Sequence, residues 1–395
     1  MGELLLDICR PSDWHHHFRE APDTREGPDT REGPDWLQTT VPACFSQFHY
    51  AVAMPNLTNP VLTYQQALEY QHAIHTAIPR EAVDLSGDGT RACMTYYLSP
   101  GLAEQDIIAA AETPQHGIIG VKYYPQGATT NSSHGVSDYR QVRQQLREIA
   151  DSGITLMIHG EDPTHPDIFA REKAFLTDPD NGQLRPILEE FGALRITLEH
   201  ISSSAAAQVL SDEWAISKSA RLAATITPHH LKYTISDIFG AGSGCCGGSG
   251  IGIKPHMFCC PVLKSFDDLD ALQELAVGGH TNIFLGTDCA PHTDAIKQTL
   301  GRPGVFNIHS ALSDITEVFA GANQLARMEG FVSLNGCEWY KKPAPFHLRT
   351  RIYSVSGDQR PLVPKSVYVG GNPSMRITPM RCGERLPYRV EAVLG

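Results

Sequence analysis

The stretch DWHHHFR places imidazoles at positions 15 and 17 with an arginine at 19. On a strand alternate side chains share a face, so His15, His17 and Arg19 point one way and His16 and Phe18 the other. Two imidazoles at i and i+2 can bind one metal ion. A guanidinium one step further along suggests an anionic substrate. Taken alone, the histidines would serve equally well as solvated groups at a strand end. Lys122, in GIIGVKYYP, is a lone lysine inside an apolar run. A buried ammonium is costly, so such a lysine turns outward, pairs with an acid or gives up its proton. The neutral amine is a nucleophile that can form a Schiff base, or capture CO2 as a carbamate whose two oxygens can bridge two metals. Histidines on neighbouring runs favour the carbamate. His159 in MIHGE and His200 in LEHIS each close an apolar run. Each alone reads as a hydrogen-bonded core histidine; together they would complete a second metal centre. Asp288 in FLGTDCAPH closes the last such run. A carboxylate there can touch the first metal and act as base for a bridging water, whose pKa a metal lowers towards ~7.

These residues need a scaffold that brings distant runs to one place. Eight short apolar or β-branched runs recur: LDICRPSDWHHHF, HYAVAMPN, RACMTYYLS, GIIGVKYYP, GITLMIHGE, RITLEHIS, LAATITPHH and TNIFLGTD. Helix-like segments lie between most of them, among them TYQQALEYQHAIHTA, LAEQDIIAAAET, DYRQVRQQLREIADSG and DLDALQELAVGG. Eight β-then-α units predict a (β/α)8 TIM barrel, one domain spanning 1–395, with extended segments from about 330 packed on it. His15, His17, Asn56, Lys122, His159, His200, Asp288 and His292 all fall at the C-terminal ends of the runs or just after them. That is the end where this fold builds active sites, and scattered structural polar residues would show no such preference. The Gly-rich GAGSGCCGGSGIG, 240–252, is expected as a long loop after the seventh strand.

Composition narrows the class. The net charge of −12, with no basic run, argues against nucleic acid or an anionic membrane surface as the main partner. No apolar run approaches the ~20 residues of a membrane helix, and ELLLDI is too short for a secretory segment. The ten cysteines include the pairs 245–246 and 259–260 but no CxxC, which predicts reduced thiols in a cytoplasmic protein.

The words around these residues narrow it further. RPSDWHHHFR, AVAMPNL, GVKYYPQGATTNSSHGV, MIHGE, LEHIS, TITPHHL, KPHMFCCPVLK and FLGTDCAPH resemble the amidohydrolase superfamily and, within it, the single-function class II dihydroorotases. The likeness continues through GVFNIHSAL and, more weakly, FVSLNG. It implies the reversible closure of N-carbamoyl-L-aspartate to (S)-dihydroorotate plus water, in de novo pyrimidine synthesis, at a binuclear zinc centre. By that resemblance His15 and His17 bind one zinc, His159 and His200 the other, and a carboxylated Lys122 bridges the two. Asp288 binds the first zinc and shuttles the proton between a bridging hydroxide and the ring nitrogen. Arg19, Asn56 and His292 hold the substrate carboxylate. His159 also faces the substrate, main-chain atoms at Cys260 and near Pro303 read the ring edge, and Thr129 and Thr130 sit on a loop that closes over it. The resemblance also suggests a homodimer. Tyr123 stands where the family commonly has leucine, on the opposite strand face. Cys260 and Pro303 replace other residue types at main-chain positions.

One irregularity follows the histidines directly. REAPDT, REGPDT and REGPDW succeed one another from Arg19, Arg25 and Arg31, so two six-residue units look inserted. Strand alternation and the family motif both select Arg19. A lengthened polar loop is thermodynamically cheap, and the sharper alternative is a rim that affects access or subunit contact. Two rival functions stand beside the main one. A hydantoinase- or allantoinase-like enzyme would handle other cyclic amides, and a non-catalytic scaffold on the same barrel would be expected to lack the metal ligands.

Overall fold

A computed structural model describes residues 2–19, 36–79, 91–216, 221–241 and 251–394. Eight parallel strands follow one another in sequence order around one sheet: Asp13–His16, Ala51–Ala53, Ala92–Tyr97, Ile118–Tyr123, Thr155–Ile158, Arg195–Leu198, Leu222–Ile226 and Ile283–Leu285. The last returns to the first through a parallel bridge between His16 and Cys289. Backbone bonds from His17 N to Cys289 O (3.0 Å) and from Asp288 N to His15 O (2.9 Å) reinforce that seam. The ring is therefore the expected (β/α)8 barrel. Gly286 lets it close tightly, since a Cβ there would stand 2.8 Å from the His15 Cβ and 2.9 Å from that of Thr225.

Helices cover the outside, and their ends are set by local chemistry. Thr63 and Gln66 form a capping box at the start of Tyr64–Ala77, and Ser265 and Asp268 do the same for Phe266–Val277. Arg143–Ser152 stops at Gly153, which takes the left-handed conformation. Residues pointing outward from the strands, such as Val121, Leu156 and Ile158, join these helices in the main core. Residues pointing inward form a second cluster at the barrel floor: Trp14, Val52, Cys93, Met157, Ala223 and Phe284.

Three expectations need correction. The first run is two elements. Glu3–Cys9 leaves the barrel and pairs antiparallel with Leu348–Ser354, which pairs in turn with Tyr388–Leu394. Pro11 separates this strand from Asp13–His16. The tail is not wholly extended, because Gly330–Leu334 forms a π-turn and Asn335–Trp339 a short helix. Phe331, Val332, Cys337 and Trp339 of these elements are buried, and Tyr340 stacks on Trp14 with centroids 4.9 Å apart. Gly336 permits that approach, because any Cβ would clash with the Trp14 indole. Seven cysteines among the described residues are free, as expected, but Cys382 is disulfide-bonded. Residues 242–250 of the Gly-rich stretch also lie outside the described residues, flanked by an antiparallel pair, Phe239–Ala241 with Ile251–Ile253. Among the described residues no helix is long and apolar enough to cross a membrane.

Candidate metal centre and substrate pocket

The C-terminal mouth of the barrel gathers the histidines and acids of four strands and the lysine of a fifth. A bulge between Asp13 and His16 lets neighbouring Trp14 and His15 both reach the interior, one towards the floor and one towards the mouth. His200 and Asp288 adopt left-handed backbone conformations, with φ of 41° and 44°. Such conformations are uncommon for residues with a Cβ and concentrate at functional sites. At His200 the departure from strand geometry brings both Glu199 and His200 to the interior.

His15, His17 and Asp288 bring their ligand atoms within 4.8 Å of one another. The His17 Nε2 lies 3.2 Å from Asp288 Oδ1, and the His15 Nε2 lies 3.5 Å from it. Opposite, His159 Nδ1 and His200 Nε2 face each other at 3.1 Å. The other nitrogen of His159 meets the Glu161 carboxylate at 3.0 Å, and that of His15 meets Glu199 at 2.5 Å. A carboxylate accepts, so those nitrogens carry the protons, and the lone pairs of His15 Nε2 and His159 Nδ1 face the centre of the site. This is the carboxylate–histidine arrangement that orients metal ligands. Burial, with Lys122 adding to it, holds His15 and His200 well below the usual histidine range; burial and then Arg19 do so for His17. Neutral imidazoles are ligand-ready imidazoles.

Lys122 is fully buried, and its Nζ has no hydrogen-bond partner. It stands 5.3 Å from the centroid of the Tyr124 ring. Burial pulls its pKa down to about 8, against the opposing pull of Glu199 and Asp288. Burial likewise pushes the Asp288 carboxyl up to about 7, against Lys122, His159 and Arg19. Converging lone pairs, a partnerless amine and buried acids fit a cation-binding centre.

Two other groups gather ligand-type atoms, Asp13/His16/Cys44 and His229/His230/Cys259. In each, one member is fully engaged elsewhere. Asp13 accepts from Thr287 N (2.7 Å), from Thr287 Oγ1 (2.6 Å) and from His15 N (3.3 Å), besides meeting His16 Nδ1 at 2.8 Å. Both His230 nitrogens are occupied, by Thr227 Oγ1 at 2.9 Å and Pro261 O at 3.0 Å.

A pocket opens above the first set. His17, Arg19, Asn56, Thr129, Thr130, His159, His200, Cys260, Asp288 and Pro303 line it, together with Tyr124, Ala290 and Gly304. Arg19 reaches it by a different route from the one expected: the strand ends at His16, and Arg19 has a positive φ of 61°. Its guanidinium donates to Ala290 O and Pro291 O, both at 3.3 Å, and meets the His292 Nε2 at 3.1 Å. His292 is thus brought to the site through Arg19. Burial, with Arg19 next, keeps His292 well below the usual histidine range, so it can accept that bond. Asn56 donates to Thr130 O at 3.1 Å, and Asn131 donates to Asn56 O at 3.1 Å, which ties the Thr129–Thr130 loop to the rim. Tyr123 points to the helix layer and donates to Gln183 Oε1 at 2.6 Å. Arg25 and Arg31 of the repeat lie outside the described residues.

Sequence reasoning passed over Glu199, Glu161, Asp13 and Tyr124. The first three stood beside the histidines in LEHIS, MIHGE and SDWHHHF; an acid within three residues of a candidate ligand was the available signal.

No family model matches the chain. Curated relatives do: a dihydroorotase of Acidovorax sp. (strain JS42) is 35% identical over 389 residues, covering 98% of each chain. The chain belongs to the dihydroorotase family. Dihydroorotase from Saccharomyces cerevisiae, solved in complex with 5-fluoroorotic acid, superposes with a TM-score of 0.81 at 27% identity, covering 99% of this chain and 100% of that one. An L-hydantoinase from Arthrobacter aurescens superposes with a TM-score of 0.64 at 16% identity, over 97% of this chain and 82% of that one. That second likeness shows a shared fold; the dihydroorotase likeness extends to sequence.

Proposed function

We propose that the chain is a zinc-dependent dihydroorotase that closes N-carbamoyl-L-aspartate to (S)-dihydroorotate and water, and runs the reverse hydrolysis. The observation that carries this reading is that His17 and Asp288, grouped with His15, line one pocket with Arg19, whose guanidinium meets His292. A cyclic amide bearing a carboxylate needs both. A hydantoinase-like substrate without that carboxylate would leave the buried guanidinium unused, and a scaffold would have no need of converging ligands.

In this reading His15, His17 and Asp288 would hold one divalent cation and His159 and His200 a second, and Lys122, carboxylated by CO2, would serve as a further ligand. Bound cations supply Lewis acidity to the scissile carbonyl and lower the pKa of water towards ~7. Asp288 accepts the proton of the attacking water and delivers it to the ring nitrogen as the amide bond breaks; in the synthetic direction the transfers reverse. Arg19 offers its donors to the substrate carboxylate, joined by Asn56 and His292. His159 faces the ring, and main-chain atoms at Cys260 and Pro303 border its edge. Thr129 and Thr130 close the loop over the substrate and exclude water. Barrel and tail act as one unit, in the cytoplasm and as a homodimer.

The test is loss of dihydroorotate absorbance near its amide band, before and after chelation. Turnover that chelation abolishes and zinc restores supports the reading. A folded, zinc-loaded protein that leaves dihydroorotate untouched sinks it. Arg19→Ala should lose dihydroorotate hydrolysis while any activity on neutral cyclic amides stays.

A further inference from the structure

We infer that Tyr124 is a substrate-binding residue, its hydroxyl donating a hydrogen bond to an oxygen of the anionic substrate. Tyr124 follows the fourth barrel strand, two residues after Lys122, so both side chains turn inward. It lines the pocket with Arg19, Asn56 and Asp288, yet only 1% of its surface is exposed. Its ring is held on two sides, against the Tyr97 ring at 5.2 Å and beneath the Lys122 Nζ at 5.3 Å. The hydroxyl has no hydrogen-bond partner. Its neighbour Tyr97 shows the contrast, since that hydroxyl donates to Asn131 O at 3.3 Å.

A buried hydroxyl without a partner is costly in a folded protein. A fixed ring that aims one into a binding pocket is a donor prepared for a ligand. The chemistry that uses this donor is a carboxylate or carbonyl oxygen of a ligand in the pocket that Arg19 also lines.

The inference rests on the dihydroorotase reading, and Tyr124→Phe separates the two. Phenylalanine keeps the ring and removes only the hydroxyl. For dihydroorotate, KM should rise by ~10–100-fold, the range for losing a hydrogen bond to a charged group, with zinc content unchanged. The melting temperature of the ligand-free variant should equal or exceed that of the wild type, because no internal bond is lost. The upward shift in melting temperature produced by 5-fluoroorotic acid at a fixed concentration should shrink, as weaker binding requires. Equal KM values in an active wild type and variant would overturn this inference alone, as would a lower ligand-free melting temperature. A wild type that neither turns over dihydroorotate nor binds 5-fluoroorotic acid would sink the functional reading and this inference with it.

Discussion

The barrel strands serve two regions that meet halfway along their length. At the floor, Trp14 stacks on Tyr340 and meets Phe284 edge-on at 6.3 Å, with Val52 and Met157 in the same cluster. At the mouth, the same strands present His15, His159 and Asp288. Met157 and His159 are two residues apart on one face, and so are Gly286 and Asp288. The floor is closed by apolar contact. The mouth holds buried polar atoms with no internal partner, among them His15 Nε2, Lys122 Nζ and Tyr124 Oη. One scaffold thus keeps its stability and its chemistry at opposite ends, because a layer of fixed apolar side chains can support groups whose partners come from outside.

The sharpest way to break this division is to substitute at each end and compare. Asp288→Asn should lower kcat by ~10²–10⁴-fold, the range for losing a general acid–base, while circular dichroism and the melting temperature stay near wild type. Trp14→Ala should do the reverse, costing ~3–5 kcal/mol of stability in urea denaturation while leaving the turnover of the surviving folded fraction within a few-fold. Activity lost without destabilisation in Trp14→Ala would erase the division.

Glu199 lies on the boundary, buried beneath His15 and accepting from Thr225 Oγ1 at 2.9 Å. If it belongs to the mouth, Glu199→Gln should weaken zinc binding by ~10–100-fold, read by competition with a chromogenic chelator. An unchanged zinc affinity with a lowered melting temperature would assign it to the floor.

The smallest effect is a matter of pH. His230 is buried beside the pocket's supporting loops, and burial, with Lys264 next, pulls its pKa down to about 3 from an ordinary value of 6.5. The unfolded chain therefore binds a proton that the folded one refuses between those values. Stability from this group is fully present above pH 6.5 and is lost as pH falls towards 3. His230→Gln lacks that dependence, so its urea-denaturation stability should decline less than that of wild type between pH 6.5 and 4. Parallel declines would show that His230 is not held neutral.

Much of the mouth was legible because strand ends and ligand residue types coincide in sequence: an apolar run followed by His159, His200 or Asp288 states both position and chemistry. The barrel was legible for the same reason, through eight apolar runs with helix-like segments between most of them. What escaped depended on tertiary approach. Nothing local says that Glu3–Cys9 pairs with Leu348–Ser354, or that Gly336 lies against Trp14. Arg19 was chosen on an alternation that the backbone does not continue to it; its left-handed turn brings the guanidinium to Ala290 and Pro291 instead. Glu199 and Tyr124 lay in plain view within quoted motifs, but only the folded ring shows that one carboxylate supports His15 and one hydroxyl stands free.

The seam between the first and last strands has a consequence for the order of events in a newly made chain. His15 and His17 leave the ribosome long before Asp288, which follows only after the other seven barrel strands have been synthesised. Their meeting depends on a short join, one bridge and two backbone bonds. A fragment lacking the last strand holds the histidines but not the acid that completes their set. A cation seated on all three would act as a clasp across this join, so that capture of the ion and closure of the ring would be completed together, late, by the same short stretch of polypeptide.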